Sequence, residues 1–110
     1  MDNLKITAST GNVFEDLGFT DAETMLLKAE LSRKISSIIQ HKHLSQIQAA
    51  TLLGVDQPKV SALMNGKLSG FSVERLFRFL TILGRDVRIL IKPKSRKRLQ
   101  GRVELQNLSA

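Results

Sequence analysis

Between Ser45 and Lys67 the chain carries hydrogen-bonding side chains at spacings that suit one task. They are Gln46, Gln57, Lys59, Ser61, Asn65 and Lys67, with the compact Pro58 and Ala62 among them. A glutamine amide presents a donor beside an acceptor, the pattern that matches adenine in the DNA major groove. A lysine reaches guanine, and a proline or alanine touches a thymine methyl. Gln57 and Lys59 are therefore the leading candidates for base contacts, flanked by Pro58 and Ala62. Ser61 suits a base or a phosphate. Gln46 suits a phosphate, helped by the helix N-terminus it sits on. Asn65 and Lys67 suit the nucleic-acid backbone. Taken singly, any of these can be an ordinary polar surface residue; the set is what carries the reading.

Such a face needs a scaffold, and the intervening residues specify two short helices joined by a tight turn. Ser45 is an N-cap, and Gln48 completes a capping box. Leu44, Ile47, Ala50 and Leu53 recur every three residues and predict the buried stripe of the first helix. Gly54 ends it in a conformation that is cheapest without a side chain. Val55 turns back to the core, Asp56 caps the second helix, and Pro58 falls in its first turn, where a missing N–H costs nothing. Val60, Leu63 and Met64 face inward, and Asn65-Gly66 stops the helix. A small residue where the helices cross (Ala50), a glycine four later (Gly54) and an aliphatic residue six further on (Val60) are the spacing of a helix-turn-helix. A plain helical hairpin would also bury Leu53 and Leu63, but would leave the exposed polar set unexplained.

The flanking sequence supplies support. Residues 1–19 are rich in loop formers and predict an irregular arm. Thr20 and Glu23 have capping-box spacing. Ala22, Met25, Leu26, Ala29, Ile35, Ile38 and Ile39 then give an apolar helix face ending near His41. His41-Lys42-His43 lacks a third ligand nearby and reads as a solvated helix end rather than a metal site. After a loop over 67–71, Ser72 caps a fourth helix with Val73, Leu76, Phe77, Leu80 and Leu83 inside and Gly84 at its close. The period then changes to the alternation of a strand over 86–92, stopped by Pro93. A lone strand lacks backbone partners. The simplest partner is the same strand of a second copy across a two-fold axis. A hairpin with residues 99–105, or a strand from the N-terminal arm, would also serve. Lys94-Ser95-Arg96-Lys97-Arg98 opens a basic tail. The expected organisation is an arm over 1–19, a DNA-binding domain over 20–93 and a tail over 94–110.

Composition narrows the alternatives. The 110 residues contain no cysteine, which removes disulfides, thiolate catalysis and Cys-ligated zinc. No apolar run approaches the ~20 residues of a membrane helix, and the start lacks the blocks of a signal peptide. The expectation is a soluble, cytoplasmic protein with no membrane partner and no cofactor. No nucleophile and acid are arranged around the two histidines, and no phosphate-cradling glycine loop is present, so an enzyme is the least supported class. The net charge of +7 is unevenly divided: residues 1–30 carry −4 and residues 31–110 carry +11. A cationic body of that size attracts a polyanion. With no Trp, no Tyr and five Phe in structural or loop positions, single-stranded RNA stacking is poorly served.

The central stretch resembles the Xre/Cro-type helix-turn-helix family, with its Gln at the helix start, its Ala-x-x-x-Gly core and its Asn-Gly-Lys ending. The segments Asn12–Phe19, Val55–Ser61 and Gly70–Leu76 are similar to those of the HigA-like antitoxin branch of that family. The likeness spans roughly residues 12–93. It implies a mainly α, lambda-repressor-like bundle of four to five helices with one C-terminal strand pairing across a homodimer. It also implies a repressor that binds double-stranded operator DNA and represses its own operon, commonly beside a small RNA-cleaving toxin that it neutralises in a type II toxin-antitoxin pair. A stand-alone, phage-like repressor with no toxin partner is the alternative.

Overall fold

The computed structural model describes residues 21–106. Four helices stand among them: α1 (Asp21–His41), α2 (Gln46–Leu53), α3 (Gln57–Met64) and α4 (Val73–Ile82). Helix α1 packs on α4 and α3, and α2 packs on α3 and α4. The chain is mainly helical, with the helix-turn-helix pair supported by a long helix before it and a shorter one after it. The Thr20 half of the predicted capping box, the N-terminal arm and residues 107–110 lie outside the described residues.

One aliphatic core holds the helices together. Leu31, Ile35 and Ile39 of α1, Val60 and Leu63 of α3, and Val73 and Leu76 of α4 are all but fully buried. Burying each such side chain contributes about 1.5–3 kcal/mol. The inner face of α1 differs from the sequence reading in its first half. Met25 and Leu26 are 47% and 58% exposed and Ala22 is also exposed, while Leu27 and Leu31 are buried. At about 100° per residue, Leu26 points about 180° away from Ile35, so it cannot share Ile35's face. Ile47 departs in the same way: it is 68% exposed, and α2 buries Ala49, Ala50 and Leu53 instead. A stripe spaced by threes falls about 60° short of a full turn at each step, and Ile47 has drifted off the face that Leu53 buries. In α4 and its C-cap, Val73, Leu76, Leu80 and Leu83 are buried as predicted, Phe77 is half-buried, and Phe79 joins them at an edge-on angle to Phe71.

All four helices end in the same hydrogen-bonded turn. An N–H just past each helix reaches back five residues: Leu44 to Ile39, Val55 to Ala50, Lys67 to Ala62 and Arg85 to Leu80, at 2.9–3.1 Å. The turn requires a left-handed residue immediately before that N–H. Gly54, Gly66 and Gly84 fill that place in three helices. In α1 it is His43, with φ 57°. The second histidine of His41-Lys42-His43 therefore sits in the backbone conformation that turns the chain from α1 into α2. His41 lies on the last turn with Nδ1 3.1 Å from the Ser37 carbonyl oxygen, and both rings are exposed.

The segment after α4 shows no strand among the described residues. Among the described residues, 86–92 form no strand ladder and the hairpin with residues 99–105 does not form; a strand from the N-terminal arm lies outside the described residues. Ile89, Leu90 and Ile91 are 70%, 79% and 90% exposed, while Val87 alone packs against the core. Alternation supplies a strand's side-chain pattern but not its hydrogen-bonding partner, and no such partner stands among the described residues.

Candidate nucleic-acid interface

Local chemistry fixes both helices of the pair at their starts. Ser45 Oγ accepts the Gln48 N–H at 3.0 Å while Gln48 Oε1 accepts the Ser45 N–H at 2.8 Å, the reciprocal box read from sequence. Asp56 accepts the Lys59 N–H at 3.0 Å, with Pro58 in the first turn of α3. Val55 packs against the core between them. A cap of this kind contributes about 1 kcal/mol, which matters for helices of eight residues each.

Across this frame the side chains fall into three groups. Gln57 Nε2 donates to Gln46 Oε1 at 2.9 Å, joining the first residue of α3 to the first residue of α2. That bond leaves Gln57 with its amide oxygen and one N–H unused, the pair that matches adenine's edge. It leaves Gln46 with both N–H donors, which suit a phosphate oxygen. One turn on, Asn65 Nδ2 lies 3.4 Å from Ser61 Oγ, linking the middle of α3 to its end. Lys59 stands apart from both. It is half-buried, and its ammonium sits 5.5 Å from the centre of the Phe71 ring, close to Gly70. Pro58 and Lys67 are exposed, and the Lys67 N–H serves the turn that ends α3. Ala62 is half-buried against the core.

Phe71, a loop residue by sequence pattern, contributes more than its place in the chain suggests. It is buried, and it precedes the cap Ser72 and lies five residues before the buried Leu76. That is the spacing of a hydrophobic staple, which could have marked it. Its ring then becomes the platform on which Lys59 rests, an arrangement worth about 0.5–1 kcal/mol at exposed sites.

The stretch is almost neutral: from Ser45 to Lys67 there are two lysines and one aspartate, a net charge of +1. Among the described residues, no group of three His, Asp or Glu side chains is placed to hold a metal ion. No helix among them is long and apolar enough to cross a membrane.

Comparison with known proteins agrees with this geometry. A family model described as a helix-turn-helix domain matches residues 13–92. A solved structure assigned as a putative XRE family transcriptional regulator is 45% identical, with a TM-score of 0.77, covering 81% of this chain and 100% of its own. No curated protein sequence matches the chain. With the family model spanning most of its length and that relative matched end to end, the chain belongs to the XRE-type helix-turn-helix family.

Proposed function

We propose that this protein is a sequence-specific, double-stranded-DNA-binding transcriptional repressor. The observation that carries the reading is the Gln46–Gln57 bond. It braces a glutamine at the start of the second helix while leaving free the donor and acceptor that adenine requires. A recognition helix presents its N-terminal side chains to base edges, and here those are Gln57, Pro58, Lys59, Ser61 and Ala62. Gln46, Asn65 and Lys67 surround them as backbone contacts. Lys59, steadied on Phe71, has an ammonium aimed by a ring rather than by a neighbouring carboxylate. Residues 20–93 form the binding domain in this reading.

The protein acts as a homodimer. The exposed Ile89, Leu90 and Ile91 segment has strand chemistry and no strand partner among the described residues, and a second copy supplies one. Two-fold related recognition helices then meet half-sites about 34–36 Å apart, one turn of DNA. Selection of bound sequences from a random duplex pool tests the whole reading. The expected outcome is a palindromic site with that spacing and an A·T pair at the position Gln57 meets. A pool returned with no enriched sequence would overturn it.

A finer reading makes the repressor the antitoxin of a type II pair. The charge division favours it: residues 1–30 carry −4 beside a basic body, and an RNA-cleaving toxin is expected to be basic. Co-expression with the product of the adjacent gene should yield a stable complex. Separate elution of the two proteins points instead to a repressor without a toxin.

A further inference from the structure

We infer that the segment after α4, and above all residues 94–97, is a phosphate-binding arm that supplies most of the protein's affinity for DNA without reading sequence. The inference rests on the DNA-binding reading and adds a division of labour to it. Residues 85–102 hold eight bases and one acid, Asp86, a net charge of +7 against +1 for the whole helix-turn-helix stretch. Phosphate neutralisation is the main source of non-specific affinity and a large share of specific affinity. A reading unit with two lysines cannot supply much of it, so the cations must come from elsewhere in the chain.

The segment is built to offer them. Lys92, Lys94, Arg96 and Lys97 are exposed, and among the described residues none of them has a carboxylate partner. The one tail base that does is Arg102, whose Nε lies 2.9 Å from Glu104. Lys94 reaches only the Ser95 carbonyl oxygen, at 3.5 Å. Ser95 organises a turn in the middle of the cluster: its Oγ accepts the Lys97 N–H and its carbonyl accepts the Arg98 N–H, both at 3.2 Å. A charged run that merely keeps a surface soluble is ordinarily mixed in sign. This one is of a single sign, has no carboxylate partner among the described residues, and is set on a short turn.

The test compares the full chain with the triple variant Lys94→Gln, Arg96→Gln, Lys97→Gln on two duplexes, the selected site and a scrambled one, between about 50 and 200 mM salt, a range over which phosphate-dependent affinity changes steeply. These side chains are exposed, so the melting temperature should not move. The slope of log K against log salt is expected to fall by about 0.9 for each phosphate left without its cation, hence by up to about 3 per copy. Both duplexes should weaken by the same factor, leaving the ratio between them unchanged. An unchanged slope, or a ratio that collapses while the slope holds, overturns the arm. The failure of the parent reading looks different. If the wild-type chain binds both duplexes equally and the variant loses that binding, the arm stands and sequence reading falls. If the wild-type chain retains single-stranded RNA or an acidic protein but no duplex, both fall.

Discussion

Two regions of this molecule show opposite solutions to the problem of being polar. The helix-turn-helix stretch, residues 45–67, spends its polar groups on one another: caps on backbone N–H groups, Gln57 on Gln46, Asn65 on Ser61. The segment from 85 to 102 leaves most of its charged groups unpaired and its three successive aliphatic side chains, Ile89 to Ile91, in solvent. The first arrangement holds a geometry before any ligand arrives. The second has chemistry but few partners among the described residues. Discrimination between bases needs fixed donors and acceptors, because a misplaced bidentate pair forfeits its preference of about 1–3 kcal/mol. Attraction to phosphates needs charge but little geometry. In the proposed reading, one chain assigns the two requirements to two segments, one on either side of α4.

The largest way to break the contrast is to remove the core beneath the reading helix. Leu63 is 1% exposed, and Leu63→Ala should cost about 2–5 kcal/mol in a denaturant titration. Ile91→Ala, at a position 90% exposed, should change the stability of a single copy by no more than about 0.5 kcal/mol. Similar losses at both sites would mean that the tail segment is folded against something in the isolated chain.

Next in size, Gln57→Ala should cost about 1–3 kcal/mol on the selected site and relax preference at one base pair, read by competition with single-substituted duplexes. A uniform loss across all duplexes would move Gln57 from base reader to backbone contact. Phe71→Leu addresses Lys59 through its platform. If the ring aims the ammonium, preference at the base pair assigned to Lys59 should weaken even though Lys59 remains.

Ile89→Lys with Ile91→Lys places charge on the unpaired segment. Sedimentation should then report half the mass of the parent, with helical content retained. A parent that is already monomeric at micromolar concentration would sink the strand-pairing idea.

The smallest effects concern the helix ends, and they should have opposite signs. Gly54→Ala forces a side chain into a left-handed turn and should destabilise by about 1–2 kcal/mol, although nothing lies within 4 Å of the new Cβ. His43→Gly relieves the same conformation, φ 57°, and should stabilise by up to about 1 kcal/mol, or several degrees in Tm. A His43→Gly variant that melts lower would show that the histidine ring itself makes a needed contact.

Much of this molecule was determined by local sequence. Ser45, Asp56 and Ser72 specified three helix starts, and Gly54, Gly66 and Gly84 three ends, because caps and left-handed turns depend on a few adjacent residues. The type and spacing of Ala50, Gly54 and Val60 likewise specified the helix-turn-helix, because the closeness of the two helices is imposed by side-chain size. Tertiary structure alone decided which face of α1 is inside, since Met25, Leu26 and Leu27 are all apolar and only the packing of α3 and α4 chooses among them. It decided that Gln57 meets Gln46, eleven residues away, and that Lys59 rests on Phe71. It also decided that residues 86–92, strand-like in pattern, have no strand partner among the described residues: a helix closes its hydrogen bonds within its own sequence, whereas a strand depends on a neighbour that its own sequence cannot name.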